Sequence, residues 1–378
     1  MRHSRALRLL GIVTPLAAIV FAGLIGSVVI AMAGKSPLAV YKTMVLFSLT
    51  RFDSIALILF RCTPLLISAI AVSIGFRANL FNIGVEGQYF IGSFCAAWVG
   101  FSLRGLPAII HLPLAACAAM LGGVIWALVP ALLRVRRGAH EVITTIMMNS
   151  VAFSMVHWLI YVFLDVEQTT VPGMGSVRMR TPLVLATAKM PTMHSLLNPL
   201  LAPLGLEVPR HVYLNYFFPA AIALAFLVNY FIHRTPLGLE IRAVGHNPDA
   251  AETQGIDPNS VRLKAFLLSA AVAGLVGLSD LLTYFGYLDI DFPKGYGFTG
   301  IAVALLGKNN PVGMILSAFL MSFLRRGAEG AQVLEGVPMD TAAILEGVMI
   351  LAIVVASSVF TRYARAWQKR EARAHADQ

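Results

Sequence analysis

The sequence predicts an all-α membrane protein that crosses the bilayer about ten times, within a range of roughly eight to ten, with both termini in the cytoplasm. Three observations carry this expectation. Of the 378 residues, 58% are hydrophobic and 13% charged, whereas soluble domains carry about 25% charge. Apolar runs of about 20 residues, the length that spans a hydrocarbon core, recur along the chain. The basic residues bunch at the ends of these runs, at Arg2, Arg5 and Arg8, at Arg134, Arg136 and Arg137, and at Arg362, Arg365, Lys369, Arg370 and Arg373. The net charge of +10 therefore reads as the positive-inside pattern of a membrane protein and not as a nucleic-acid surface.

In chain order, the apolar runs fall near 10–33, 54–76, 82–102, 107–133, 141–164, 213–233, 262–286 and 342–361. Residues 297–326 are split by Gly307-Lys308-Asn309-Asn310-Pro311 into two shorter pieces, counted as two further crossings. The first run ends in Ala31-Met32-Ala33, which imitates a signal-peptidase site. Its apolar length of about 22 residues exceeds the 7–15 of a signal core, so an uncleaved anchor is expected. Residues 37–49 are too short to span, and with Lys42 and Arg51 nearby they are expected to lie on the outer surface as an amphipathic helix. Residues 165–211, rich in proline, are expected to form an irregular periplasmic loop, and 234–262 a cytoplasmic one. In this topology Arg325 and Arg326 fall outside, against the charge rule.

The cytoplasmic loop holds the most informative stretch, Gly245-His246-Asn247-Pro248-Asp249-Ala250-Ala251-Glu252-Thr253-Gln254-Gly255. Asn247 suits a helix N-cap, Pro248 the first helical position, and Gly255 a left-handed stop. About two turns of rigid helix are thus offered outside the bilayer. Such an element is a handle for a partner.

A second stretch, Arg77 to Gln88, places Asn79, Asn82, Glu86 and Gln88 at the start of an apolar run. If it is helical, Asn79, Asn82 and Glu86 share a face and Gln88 points away. A carboxylate at membrane depth needs a polar cavity or a donor. Two readings stay open: these groups touch the transported solute, or they bond helices together, with Gly84 and Gly87 allowing close approach. The glycine-interrupted stretches 79–92 and 295–313, one in each half of the chain, resemble the paired breaks that mark pathways in transporters.

Glu141, Thr145 and Asn149 recur at i, i+4 and i+8 on one helical face. Glu141 suits the first turn, where a carboxylate complements the dipole; for Asn149, packing and a place on the path are both open. Ser269, Ala273 and Gly277 form a small-residue stripe for tight packing. Asp280, Tyr284 and Tyr287 are expected on another face, where they suit either a flat polar heterocycle or an interfacial aromatic belt.

Enzymatic signatures are missing. Gly34-Lys35-Ser36 has Val29 where a phosphate-binding loop needs glycine, and His140-Glu141 lacks the second histidine of a zinc site. Cys62, Cys95 and Cys117 lie in apolar runs without metal or disulfide spacing. No catalytic or metal-binding residue is expected, and no cofactor bound by this chain.

Phe81-Asn82-Ile83-Gly84-Val85-Glu86-Gly87-Gln88, supported in order by residues 138–149, 245–256 and 297–313, resembles the permease subunits of bacterial ABC importers. The similarity covers nearly the whole chain and lies in the branch serving simple sugars, branched-chain amino acids and nucleosides, nearest the nucleoside type paired with basic-membrane-protein lipoprotein receptors. It implies a single transmembrane permease domain over 1–378 in the inner membrane. The implied partners are ABC ATP-binding subunits that hold and hydrolyse ATP, a second, non-identical permease, a periplasmic or lipoprotein solute receptor, and membrane lipids. Carried onto this chain, the docking element comprises Gly245, His246, Asn247, Pro248, Asp249, Ala250, Ala251, Glu252 and Gly255, a reduced Glu-Ala-Ala loop with Asp249 in place of the leading glutamate. The expected translocation path includes Asn79, Asn82, Glu86, Asn149, Asp280 and Tyr284. Nucleosides are the first expected cargo, then riboflavin or another flat heterocycle, then simple sugars. The rival expectations are an ion-coupled secondary transporter, with Glu86 and Asp280 as coupling carboxylates, and a static membrane scaffold.

Overall fold

In the computed structural model, residues 20–21, 23–163, 179–204 and 213–338 are described, with isolated positions between 344 and 359. The expected first crossing lies partly outside the described residues and the last one mostly so. Both termini lie outside them altogether. Among the described residues the secondary structure is helical apart from two isolated bridges, Arg180 with Asp289 and Thr192 with Asn215. The helices are α1 (Gly23–Met32), α2 (Pro37–Leu49), α3 (Phe52–Arg77), α4 (Val85–Ser102), α5 (Ala108–Arg137), α6 (Glu141–Val162), α7 (His194–Leu201), α8 (Phe217–Arg234), α9 (Pro236–His246), α10 (Pro248–Thr253), α11 (Pro258–Gly274), α12 (Tyr296–Leu306) and α13 (Pro311–Glu335). Of these, α3, α5, α6 and α8 are each long and apolar enough to span a bilayer. Other expected crossings are shorter or broken, and those breaks build the site.

The chain divides into two compact units, residues 1–55 with 320–378, and residues 56–319. In the first, α1 and α2 meet at 115°. Val40 and Met44 on α2 pack with Ile30, Ala331 and Val337. Leu38, Val45, Leu46 and Leu49 on other faces of α2 are exposed beside Lys42, so α2 lacks the segregated polar face of the expected amphipathic surface helix, and with α1 it has the composition of a broken or re-entrant span. Arg326, expected to breach the charge rule, is satisfied locally. Its guanidinium bonds Ser54 Oγ at 3.0 Å, pairs with Glu329 at 3.0 Å and lies 4.6 Å from the Phe47 ring.

In the second unit one long helix is built inside out relative to a helix of a soluble protein. Helix α5 turns Ala115, Ala119, Gly122, Gly123, Ala127 and Ala131 inward and leaves Ile109, Leu121, Ile125 and Leu133 exposed. Small residues let helix backbones meet where lipid makes burial of large side chains unnecessary. Gly92, Gly123 and Gly274 form the seam of α4, α5 and α11; a β-carbon at Gly92 would sit 2.8 Å from the Ala119 and Gly274 carbonyl oxygens. Helix α6 buries Glu141, Thr145, Asn149, Ala152, Val156 and Ile160 and exposes Ile143, Ile146, Met147 and Val151. The expected polar stripe is therefore the inward face.

The loops sort to two ends of this unit. At one end, Gly245 lies against the Arg77 backbone, Arg77 bonds Asn309, and Phe81 meets Glu141. At the other, the backbone of Leu185 bonds Gly100, Val184 bonds Gly286, Met190 bonds Leu282 and Met193 bonds Leu214. There His111 bridges α5 to the loop. Its Nε2 meets the Val99 carbonyl at 3.1 Å, so Nε2 carries the proton and Nδ1 accepts from Thr187 Oγ1 at 2.9 Å.

Candidate translocation and coupling site

Two helices of the second unit begin inside the protein. The chain leaves α3 at Arg77, turns at Asn79 with a left-handed φ of 54°, and re-enters a helix only at Val85. In the other half, residues 286–295 run without regular helix until α12 starts after Gly295, at φ 92°. Helix α12 has 11 residues, about 16 Å, roughly half a hydrocarbon core. Non-helical backbone at such depth is tolerable only when wrapped by protein. The two glycine-interrupted stretches are brought together here.

Glu86 joins them. It stands in the first turn of α4 and is 1% exposed. Its Oε1 accepts the Gly295 N–H at 2.5 Å and its Oε2 the Gly297 N–H at 2.7 Å. The Tyr89 hydroxyl lies 3.0 Å from Oε1 and 2.8 Å from the Pro293 carbonyl, its proton shared between them. One carboxylate thus complements the positive ends of two helices, its own and α12. A β-carbon at Gly297 would lie 2.7 Å from the Glu86 backbone nitrogen, so this glycine sets the approach. Ser68 Oγ donates to the Tyr296 carbonyl at 2.8 Å and holds the same turn from α3.

Beside it, the Asn82 and Gln88 amides exchange hydrogen bonds of 3.0 and 3.1 Å. Asn82 also donates to Ser269 Oγ at 3.0 Å, and Ser269 donates to the Ala71 carbonyl at 2.6 Å. Asn149 Oδ1 accepts the Gly87 N–H at 2.9 Å, and its Nδ2 donates to the Ile83 carbonyl at 3.1 Å. Every polar group of this knot is engaged by protein, as burial requires. At its edge, Glu141 Oε1 accepts the Phe81 N–H at 3.4 Å and Oε2 lies 3.1 Å from Arg134 Nε.

The shared face expected for Asn79, Asn82 and Glu86 is not formed, and Gln88 does not point away. The left-handed turn at Asn79 interrupts the helical period on which both expectations rested, exposing Asn79 while Asn82 and Glu86 are buried. Asp280 and Tyr284 lie on a π-helical turn, Asp280–Phe285, that ends at Gly286 with φ 69°. Tyr287 therefore leaves their face, and Arg180 covers it at 4.7 Å. Asp280 is 4% exposed and hydrogen-bonded to Tyr296, while the Tyr284 ring is 51% exposed with the Tyr213 ring edge-on at 5.0 Å. Tyr89 escaped the sequence reading, which noted Gln88, Ser269 and the stretch holding Gly295 and Gly297 without their hydrogen-bonding roles. Their signal was local for Gln88, an amide in an apolar run, and for Gly295-Tyr296-Gly297, a glycine pair flanking a helix start.

At the end bearing residues 236–257, Asn247 Oδ1 accepts the N–H groups of Asp249 at 3.0 Å and Ala250 at 3.1 Å. Gly255 ends the segment at φ 81°, and Asp257 Oδ1 caps α11 through the Asn259 N–H at 3.0 Å. The punctuation expected from sequence is present. The two alanines differ, however. Ala250 is exposed together with Asp249 and Glu252, whereas Ala251 is 4% exposed and packs with Ala78, Leu80, Ile241, Val244 and Val261. Gly245 presses so closely on the Arg77 carbonyl that a β-carbon has no room. The outward face of α10 is Asp249, Ala250 and Glu252; its inward face clamps the helix to the α3–α4 break.

Residues 54–354 match the family described as branched-chain amino acid transport system / permease component. The chain belongs to this family. It is a permease subunit of an ABC transporter, a multi-pass protein of the inner membrane. Over 94% of its length this permease is 34% identical to the guanosine ABC transporter permease protein NupP of Bacillus subtilis, covering 96% of that protein. It is 33% identical to the nucleoside ABC transporter permease protein NupB of Lactococcus lactis, over 91% of both chains. It is 31% identical to the glucose ABC transporter permease protein TsgB13 of Haloferax volcanii, over 93% of this chain and 88% of that one.

Proposed function

We propose that this permease is one of two non-identical membrane subunits of an ATP-driven importer that carries nucleosides or a similarly flat, polar solute. The observation that carries the reading is the near full-length similarity to permeases named for guanosine and nucleosides. A second guanosine permease of Bacillus subtilis and a second nucleoside permease of Lactococcus lactis also match, at 26% and 24% identity, which supports a pair of unequal subunits. The glucose permease, and a match at 23% identity to the probable riboflavin import permease protein RfuC of Treponema pallidum, keep sugars and riboflavin as lesser cargo readings.

In this reading a separate subunit binds and hydrolyses ATP, and residues 245–255 face it from the cytoplasm. Asp249, Ala250 and Glu252 touch it; Gly245, Asn247, Ala251 and Gly255 hold the touching face in place, with His246 and Pro248 completing the turn. A receptor on the opposite side delivers solute. Because ATP must favour one conformation over the other to do work, the rigid α10 serves as the point where that preference enters. Asn82, Glu86 and Asn149 frame the path, and Asp280 and Tyr284 line it with Asn79 at its cytoplasmic mouth. The engagement of Glu86 by two backbone N–H groups favours a framing role over proton coupling, which weighs against a secondary transporter.

Uptake of labelled nucleoside into vesicles containing the whole complex is the test. Dependence on ATP and indifference to a protonophore support the importer; collapse with the protonophore and indifference to ATP refute it.

A further inference from the structure

The geometry points to Arg77 as the positioning residue that links the ATPase-facing loop to the broken helix α12. This rests on the reading of residues 245–255 as the ATPase contact. Arg77 closes α3 and touches three breaks at once. Its carbonyl carries Gly245, the last-turn glycine of α9, too close for any side chain. Its Nη2 donates to the Asn309 carbonyl at 2.7 Å, and its Nη1 lies 3.4 Å from His233 Nε2. His233 Nδ1 is 2.8 Å from the Asn229 carbonyl; a carbonyl only accepts, so Nδ1 holds the proton and Nε2 is free to accept from the guanidinium.

Asn309 belongs to the turn after α12, where Lys308 and Asn309 are both left-handed, at φ 52° and 55°. Such a turn has few alternative shapes, so pulling its carbonyl moves the helix instead of deforming the loop. Helix α12 is thus fastened at its C-terminal end to Arg77 and at its N-terminal end to Glu86, both flanking the same α3–α4 break. A displacement of α9 and α10 reaches the Arg77 backbone through Gly245, passes through the guanidinium to residues 307–310, and arrives along α12 at the helix start that Glu86 caps. The fork is needed because one group must hold two acceptors on different elements.

The experiment uses the complete transporter in proteoliposomes, with transport and ATP hydrolysis measured together for Arg77→Lys and Arg77→Met, and Ala250→Arg as control. Both Arg77 variants should retain the ATPase on purification and hydrolyse ATP, while solute moved per ATP falls about fivefold or more, with Lys, which can hold one acceptor, intermediate. A wild-type ratio of transport to hydrolysis in either variant overturns the proposal. So does failure of both variants to assemble, which would assign Arg77 to folding. If Ala250→Arg leaves ATPase recruitment and transport intact, the ATPase-facing reading of the loop fails instead; that result is separate from the Arg77 ratios.

Discussion

Glu86 and Gly297, 211 positions apart in sequence, meet through a 2.7 Å hydrogen bond from backbone to carboxylate. The bond fixes the start of α12 against the start of α4 and makes the two halves of the permease share one charge. Replacing Glu86 with Gln keeps the shape but exchanges one acceptor oxygen for an NH2 group facing an N–H donor. A buried group left without its partner costs about 1–3 kcal/mol. Glu86→Gln should therefore lower thermal stability in detergent and lose assembly and transport in parallel. Normal melting and assembly with transport abolished would instead place Glu86 in direct contact with cargo.

Gly297→Ala and Gly295→Ala test the same joint from the other side. At Gly297 the added carbon meets the Glu86 backbone 2.7 Å away; at Gly295 nothing lies within 4 Å and the burden is the left-handed φ of 92°. A strained backbone position costs on the order of 1–3 kcal/mol. Gly297→Ala should be the more damaging, read as the lower yield of folded protein by size-exclusion chromatography. The opposite order would mean that the α4–α12 approach is looser than described.

Adjacent alanines should behave oppositely. Ala250→Arg adds charge to an exposed position and should release the ATPase subunit on purification without changing thermal stability. Ala251→Arg forces a charge among Ala78, Leu80 and Val261, at a cost of several kcal/mol, and should deplete the folded protein. Equal stability of the two variants would show that the inward packing of α10 is unimportant.

Asn247→Ala removes the acceptor of two N–H groups, a loss of about 1 kcal/mol. ATPase affinity should weaken several-fold and return with Asn247→Ser or Asn247→Asp. Failure of both caps to restore binding would mean that the Asn247 side chain touches the partner itself.

What could be read from sequence follows from range. The Asn247 cap, the Gly255 stop and the polar stripe of α6 depend on residues within two turns of each other, and local chemistry fixes them. The choice between Ala250 and Ala251 needed the position of Leu80 and Val261. Gln88 was misdirected because a 3.6-residue period was carried through residues 78–84, where Asn79 breaks it. The backbone donors of Glu86 were hidden for a plainer reason: paired glycine breaks mark both stretches, but Gly295 and Gly297 offer only N–H groups, so no side chain names them as its partners across 209 positions.

That separation also governs how the protein is made. At ~5–20 residues per second, ~10–40 s pass between synthesis of Glu86 and of Gly295. Through that interval the first broken helix carries an acidic side chain whose two backbone donors do not yet exist. Biogenesis must then shelter it, by a proton, by water or by the insertion machinery, and the amino-terminal half reaches its finished state only after the carboxy-terminal half arrives.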